Sequence, residues 1–174
     1  IAVFIQEQLE LAVELADHEP LSEDMVLKFL EHFYYSAAAM IRPGADGMWD
    51  EEDGFYYDLL RLPDGSTQRL KVRSMVGLLP LCATTVIEEW QRERVPRALA
   101  HMLERLRRMP ELLESIHPTG PGQYGVAERG IIALLNPQRL RRILSKMLDE
   151  GEFLSPYGIR SLSKFHERHP YILH

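Results

Sequence analysis

The sequence predicts an all-α fold, in which paired helices of modest length form part of a helical toroid with one inserted β-hairpin. Apolar residues recur at helical spacing over most of the chain, and capping residues precede several of these stretches. Residues 54–73 differ, because two extended runs flank a Pro-Asp-Gly turn. We expect residues 1–174 to form a single, partial domain.

The first two predicted helices cover residues 1–16 and about 22–41. The first has an apolar stripe of Ala2, Ile5, Leu9, Val13 and Ala16. Ser22 is suited to an N-cap, and Glu23 and Asp24 favour the positive end of the second helix. Its stripe consists of Met25, Phe29, Phe33, Ala37 and Met40.

The middle of the chain predicts the hairpin and two more helices. The hairpin turns at residues 63–66, an apolar helix covers residues 76–90, and an amphipathic basic helix covers residues 94–109. Residues 117–125 are rich in glycine and proline and predict a loop. Asn136-Pro137 and Ser155-Pro156 each read as a helix start, the first for a helix to about 149 and the second for a helix through 164.

Composition excludes several kinds of partner. The net charge of −6 argues against nucleic acid and anionic membranes. No apolar run is long enough to span a bilayer, so we expect no membrane partner. Cys82 is the one cysteine, and it lies in an apolar run without a neighbouring His or Lys. We therefore predict a buried, inert thiol and a reducing, cytoplasmic location.

Residues 48–58 combine carboxylates with aromatic rings, and they allow two interpretations. Rings that stack on the apolar faces of a pyranose and carboxylates that accept hydrogen bonds from its hydroxyls would form a sugar site. The alternative is an acidic loop that enters a β-strand whose aromatic side chains are buried. Carboxylates this close in sequence rarely lie on opposite faces of a sugar, so we do not assign them as a catalytic acid and base.

The same acidic stretch does not predict a metal site or a cofactor. Asp46 and Asp50 loosely match a calcium loop, but Met48 stands where an oxygen ligand is needed.

His166 and His169 fit the solvated end of a helix better than a metal site. The arginines of residues 92–108 alternate with Glu93 and Glu104, which is typical of a solvated face.

Three motifs together resemble the bacterial mannosyl-oligosaccharide glucosidase family of glycoside hydrolases, including its mannosylglycerate-hydrolase-like branch. They are Trp-Asp-Glu-Glu-Asp-Gly-Phe-Tyr-Tyr-Asp at 49–58, Lys-Val-Arg-Ser-Met-Val-Gly-Leu-Leu-Pro-Leu at 71–81 and Phe-Leu-Ser-Pro-Tyr-Gly-Ile-Arg-Ser-Leu-Ser at 153–163. The order and spacing match over essentially the whole chain. The resemblance implies an (α/α)6 toroid and inverting hydrolysis of an α-glycosidic bond.

The resemblance also implies which residues contact the sugar: Tyr35, Trp49, Asp50, Tyr57, Asp58, Arg73, Tyr157 and Arg160. Arg73 and Asp58 have a competing role, which is to pair with each other across the hairpin. The family's catalytic Asp is expected before Ile1 and its catalytic Glu after His174. We therefore expect a piece of a longer glycosidase, whose partners are a carbohydrate substrate and the rest of the polypeptide, or a second copy of itself.

Two other functions stay open at this point. A carbohydrate-binding or scaffolding helical domain without catalysis would explain why neither expected catalytic carboxylate lies in the chain. A general helical interaction domain would bind no sugar at all.

Overall fold

The protein is described by a computed structural model that covers residues 1–16, 22–42, 44–110 and 125–172. Its α-helices are α1 (Ala2–Leu15), α2 (Ser22–Met40), α3 (Glu89–Arg94), α4 (Pro96–Arg107) and α5 (Pro137–Met147). Short 3-10 helices cover Gly44–Asp46, Met75–Cys82, Val126–Glu128 and Lys164–Glu167. None of the helices in these ranges has the length and apolar character that a membrane span requires.

The strands of these ranges form four two-stranded antiparallel sheets. The pairs are β1 (Trp49–Asp50) with β2 (Phe55–Tyr56), β3 (Asp58–Arg61) with β4 (Thr67–Leu70), β5 (Thr84–Ile87) with β6 (Gly130–Ala133), and β7 (Leu154–Ser155) with β8 (Gly158–Ile159). In register, Asp58 lies opposite Leu70 and Thr84 lies opposite Ala133.

The prediction of an all-α toroid with a single hairpin is wrong, because the described chain is a mixture of helices and small sheets. The strands are two to four residues long. An alternating pattern cannot be recognised over so few positions. Pairing between distant segments is also invisible to a local reading of the sequence.

The predicted helix at residues 76–90 is an example of a stretch that pairs with a distant segment as a strand. The apolar run forms a 3-10 helix over Met75–Cys82, and the β-branched residues that follow form β5. Thr, Val and Ile pack well on a pleated sheet and lose rotamer freedom in a helix. β5 finds its partner in β6, far along the chain. Cys82 is exposed, so the prediction of a buried thiol is also wrong.

The predicted last helix, residues 155–164, is instead a hairpin followed by a 3-10 helix. Ser155-Pro156 resembles a helix start, but Gly158 has φ +118, where only glycine is unstrained. The Ser155 hydroxyl accepts a hydrogen bond from the Tyr157 N–H and donates one to the Gly158 carbonyl, so the side chain closes a turn. Ser-Pro is common both at helix starts and in turns. Gly158 favours the turn, because it adopts a positive φ that other residues do not adopt without strain.

Other sequence predictions are confirmed. Helices α1, α2, α4 and α5 and the hairpin of β3 and β4 all form where they were expected. The buried face of α2 differs from the predicted stripe: Val26 is 1% exposed whereas Met25 is 45% exposed. The predicted loop at 117–125 lies outside the described residues except for Gly125.

The chain divides into two compact units. Unit 1 consists of Ile1–Ala39 and Cys82–Asn136, and unit 2 consists of Met40–Leu81 and Pro137–His174. In unit 1, Leu9, Leu30 and Phe33 belong to the core. In unit 2, the core is built largely from aromatic rings, because the Phe55 and Phe153 rings stack with centroids 5.6 Å apart and are both fully buried.

Gly77 packs directly against this aromatic core. A Cβ atom at position 77 would lie 2.3 Å from Cε1 of Phe55 and 2.4 Å from the Tyr56 carbonyl oxygen. We expect Gly77→Ala to lower the free energy of unfolding of unit 2 by about 1–3 kcal/mol, as overpacking does in other cores. Urea unfolding of the full-length protein measures the effect. Gly125→Ala is the control, because its nearest neighbour would be 3.6 Å away. Equal stability of the two variants would contradict the prediction.

Candidate functional site

The candidate site is a group of ionic and polar side chains in unit 2 that surrounds Arg73. We call it the Arg73 cluster, and it consists of Asp50, Asp53, Tyr57, Lys71, Arg73 and Glu152. Asp50 and Arg73 are 4% and 7% exposed, so these charges lie inside the protein. Buried charges persist when they are paired and hydrogen-bonded, and each of these has such partners.

The two aspartates are Asp50, at the end of β1, and Asp53, in the turn that leads to β2. The Asp53 N–H donates to Oδ1 of Asp50 at 2.9 Å, and the Gly54 N–H donates to the Asp50 carbonyl at 2.8 Å. These bonds bring both carboxylates to the same side of the turn. The Lys71 ammonium then bridges them, with Nζ 3.0 Å from Oδ2 of Asp50 and 3.1 Å from Oδ2 of Asp53.

Helix α5 supports this turn from outside the cluster. The Arg142 guanidinium donates to the carbonyl oxygens of Glu51 and Glu52 at 2.6 and 3.1 Å and to the Glu51 carboxylate at 3.2 Å. The Arg139 guanidinium lies 5.1 Å from the centre of the Trp49 ring. Cations near the face of an indole ring are attracted to it. Two arginines of one helix therefore fix the acidic turn.

Arg73 joins the acidic turn to the last of the three sequence motifs. Its Nη2 lies 2.9 Å from Oδ1 of Asp53, and its Nη1 lies 2.5 Å from Oε1 of Glu152. Its Nε donates to the Tyr57 hydroxyl at 3.2 Å, and the guanidinium lies 3.8 Å from the centre of the Phe165 ring. All three nitrogens of the guanidinium are therefore occupied, which suits the rigid, planar donor set of arginine.

The residues after β8 hold the backbone of Arg73 in place. The Ser163 N–H donates to the Arg73 carbonyl at 2.8 Å, and the Ser163 hydroxyl donates to the Glu152 carboxylate. The Arg73 N–H donates to Nε2 of His166 at 2.8 Å. The Lys164 N–H donates to the Glu152 carbonyl at 2.9 Å. Both the side chain and the backbone of Arg73 are thus bound to residues 152–166.

The pKa values of the cluster follow from burial and pairing. Burial acts to raise the pKa of Asp50, but hydrogen bonds from the Asp53 N–H and from Lys71 outweigh it and lower the pKa. The pKa of Asp53 is lowered in the same way, against burial, by Lys71 and Tyr57. Burial raises the pKa of Tyr57 to about 12. The aspartates are therefore charged and the tyrosine is neutral at neutral pH.

Four of the predicted sugar-contact residues lie together. Asp50, Tyr57 and Arg73 belong to the cluster, and Trp49 precedes Asp50 in β1. Trp49 is 5% exposed and its ring meets Tyr56 edge-on, with centroids 4.9 Å apart. Tyr57 is 2% exposed. In the described chain these two rings pack as core, and the sugar contact predicted for them stays a prediction.

The other four predicted residues lie elsewhere. Asp58 is exposed in β3, and Arg73 pairs with Asp53 and Glu152 instead of with Asp58. Arg160 donates to the carbonyls of Glu150, Glu152 and Leu154 and so holds the β7–β8 hairpin. Tyr157, at the tip of that hairpin, is 100% exposed. Tyr35 is in unit 1, and its hydroxyl accepts a hydrogen bond from Arg105 at 2.9 Å.

Sequence reasoning missed Glu152, Ser163 and His166 as parts of the site. Glu152 directly precedes the third motif, and Ser163 ends it. A buried arginine in the second motif needs anionic partners, and this need was the one available signal. The sequence does not say which of its many acidic residues meets Arg73.

A groove lies in unit 1, between α1 and β5. The groove has a volume of about 520 Å³, and its lining includes Glu7, Glu10, Leu11, Glu14 and Val86. None of the predicted sugar-contact residues lines it. Across the described ranges, no group of three or more His, Cys, Asp or Glu side chains is arranged to hold a metal ion.

The chain is similar to an uncharacterized protein of Saccharomyces cerevisiae. The two are 37% identical over 184 residues, an alignment that covers 98% of this chain and 17% of the yeast protein. The chain thus spans a minor part of the length of that relative. No protein-family model matches the sequence, and no solved structure matches it.

Proposed function

We propose that this chain is part of an inverting α-glycosidase of the glucosidase or mannosylglycerate-hydrolase kind. In this proposal the Arg73 cluster is a rigid support for the sugar site. It holds the β7–β8 hairpin and its exposed Tyr157, while the two catalytic carboxylates come from other parts of the full-length protein. The substrate is a carbohydrate with an α-glycosidic bond.

The observation that carries the proposal is the meeting of the three motifs at Arg73. The motif at 49–58 contributes Asp53 and Tyr57, and the motif at 71–81 contributes Arg73 itself. Glu152 adjoins the third motif and Ser163 ends it. These motifs carry the resemblance to the glucosidase family. Their physical contact supports the view that they belong to one functional unit.

Asp50 and Asp53 of the cluster are unsuited to acid catalysis. A general acid must carry a proton at the working pH, and glycosidases raise the pKa of that carboxyl group. The pKa values of Asp50 and Asp53 are lowered instead, by the cationic and hydrogen-bonding groups around them. A support role for these aspartates agrees with a catalytic acid and base from elsewhere, separated by roughly 6.5–9.5 Å to admit the attacking water.

Tyr157 is the residue of the third motif that is best placed to meet a ligand. Its side chain is fully exposed at the tip of a hairpin, and the hairpin base is bound to the cluster through Arg160 and Glu152. A ring that makes no other packing contact can stack on a sugar without loss of core packing.

We expect Tyr157→Ala to weaken sugar binding about two- to twelvefold while leaving stability unchanged. The magnitude corresponds to the loss of one aromatic contact of about 0.5–1.5 kcal/mol. The full-length protein is assayed on α-glucosides, α-mannosides and mannosylglycerate-like acids, with NMR detection of the anomer released first. KM and the calorimetric Kd are then compared between wild type and variant.

Tyr157→Phe is the matched control, because it keeps the ring and removes only the hydroxyl. We expect its KM to stay close to that of wild type. A full-length protein that neither binds nor hydrolyses any of these α-glycosides contradicts the proposed function. Unchanged binding by Tyr157→Ala alone contradicts only the role of Tyr157.

A second candidate is a carbohydrate-binding or scaffolding domain without catalysis. The carboxylates of Asp50, Asp53 and Glu152 are all ion-paired within the cluster. This pairing favours the second candidate, because it gives each carboxylate a structural role that needs no catalysis. Sugar binding without hydrolysis by the full-length protein would support this candidate over the enzyme.

The location and partners belong to the same proposal. We assign the protein to the cytoplasm, since its single cysteine permits no disulfide within the chain. We assign the rest of the full-length polypeptide, or a second copy, as the partner of the apolar side chains on α1. Phe4, Leu11 and Leu15 are 64%, 57% and 58% exposed there.

A further inference from the structure

We propose that His166 is a proton-sensitive positioning residue, whose protonation releases the Lys164–Glu167 segment from Arg73. The hydrogen bonds of its ring fix its chemical state. The Arg73 N–H, which can only donate, lies 2.8 Å from Nε2, so Nε2 carries no proton. The His169 carbonyl, which can only accept, lies 2.8 Å from Nδ1, so Nδ1 carries the proton. The arrangement requires the neutral ring.

A second proton on the ring would have to bind at Nε2. The Arg73 N–H would then face another donor and lose its acceptor. The new positive charge would also lie beside the residue that carries the guanidinium. A backbone N–H that loses its partner in a part-buried position destabilises the structure that surrounds it. Protonation therefore opposes the contact between residue 166 and residue 73.

That contact belongs to a ladder which positions the β7–β8 hairpin. The Ser163 N–H donates to the Arg73 carbonyl, and the Met75 N–H donates to the Ser161 carbonyl, both at 2.8 Å. Ser74 and Leu162 form an antiparallel bridge between them. The His166 bond is the end of this ladder, so its loss frees the ladder to open from that end.

The charges around His166 come from both sides of the contact. On the Arg73 side they are the Arg73 guanidinium and its partners Asp53 and Glu152, with Lys71 behind Asp53. On its own segment they are Lys164, Glu167, Arg168 and His169. The His169 ring stacks on Phe165 at 4.1 Å, and its Nδ1 lies 3.2 Å from the Phe165 carbonyl, a bond that a protonated ring retains.

The sign of the pH dependence follows from the bonds. Both ring hydrogen bonds of the folded segment require the neutral His166, so binding of a proton at Nε2 is coupled to release of the segment, and a lower pH favours release. Histidines change charge between about pH 5 and 8. Asp50 and Asp53 have lowered pKa values, so the stability that they contribute is present above their unfolded pKa and is lost only below about pH 4. The two effects therefore occupy separate pH ranges.

Hydrogen exchange in the full-length protein tests this inference without any sugar ligand, so its outcome is independent of the proposed function. Protection of peptides covering residues 71–77 and 161–172 is measured at about pH 8 and about pH 5 and corrected for the intrinsic exchange rate. We expect about a tenfold loss of protection at the lower pH in the wild type. In His166→Gln the side-chain carbonyl can accept from Arg73 without titrating, and we expect the loss to disappear.

His169→Gln is the matched control and should keep the wild-type pH dependence. The inference would be overturned if His166→Gln lost as much protection at the lower pH as the wild type does. It would also be overturned if the protection of the wild type were the same at both pH values. If His166→Gln does not fold, nitrogen NMR of the histidine-labelled wild type decides. A neutral ring with its proton on Nδ1 supports the inference, and one with its proton on Nε2 overturns it.

Discussion

Replacement of Arg73 by methionine is expected to lower the local free energy of unfolding of unit 2 by about 3–5 kcal/mol. Methionine has a flexible apolar side chain that can fill space near Phe165, but it supplies none of the donors. Glu152, whose side chain is 13% exposed, would lose its bond to the guanidinium and keep only the Ser163 hydroxyl and the Lys146 ammonium, which lies 3.7 Å away. Asp53 would keep only Lys71 and Tyr57. A buried charge without its partner costs much more than a surface ion pair contributes.

Hydrogen exchange of unit 2 in the full-length protein gives the local free energy of unfolding. Arg61→Met is the matched control, since Arg61 is exposed at the end of β3, and we expect it to change stability by less than about 0.5 kcal/mol. Arg73→Lys keeps the charge and loses the planar fork, so it should fall between wild type and Arg73→Met. A loss below about 1 kcal/mol in Arg73→Met would show that the cluster contributes little to the fold.

Replacement of Phe153 by alanine is the second change with a large expected effect, a loss of about 3–5 kcal/mol. Phe153 is fully buried and stacks on Phe55, so it joins the third sequence motif to the first. Removal of the ring takes away its burial energy and leaves a cavity that neighbouring rings fill only partly. Gly77 packs against the other partner of this stack, which limits how far Phe55 can move.

The effect of Phe153→Ala is measured by the same exchange experiment. Phe153→Leu is the conservative control, and we expect a smaller loss because most of the apolar volume remains. Tyr157→Ala, four positions along the chain at a fully exposed site, should leave stability within about 0.5 kcal/mol of the wild type. If Phe153→Ala and Tyr157→Ala were equally stable, the aromatic stack would not be the core of unit 2.

Long periodic helices were predictable from the sequence because their signals are local. The apolar spacing of α1, the Ser and acidic residues in the first turn of α2 and the Asn-Pro start of α5 are each contained within a few turns of chain. The hairpin of β3 and β4 was predictable for the same reason, since its turn signal lies between the strands it joins. The strand β5 was not, because its partner β6 lies beyond three other described elements, which are α3, α4 and the 3-10 helix Val126–Glu128.

The candidate site was predictable to a similar extent. The sequence identified Trp49, Asp50, Tyr57 and Arg73 as members of unusual motifs, and the structure brings these residues together in unit 2. The sequence did not identify Glu152 or His166 as their neighbours. An ion pair depends on two residues that are distant in sequence. The sequence around an acidic residue does not show which basic residue it will contact in the folded protein.

The sequence by itself determined the local elements with strong periodicity and the three motifs from which the glycosidase proposal starts. Tertiary structure alone decided that the apolar run after Met75 forms a 3-10 helix and a strand, and that Arg73 pairs with Asp53 and Glu152. The physical reason is the range of the interactions. Helix propensity and capping act over a few residues, whereas strand pairing and charge burial depend on which distant segments the folded chain brings into contact.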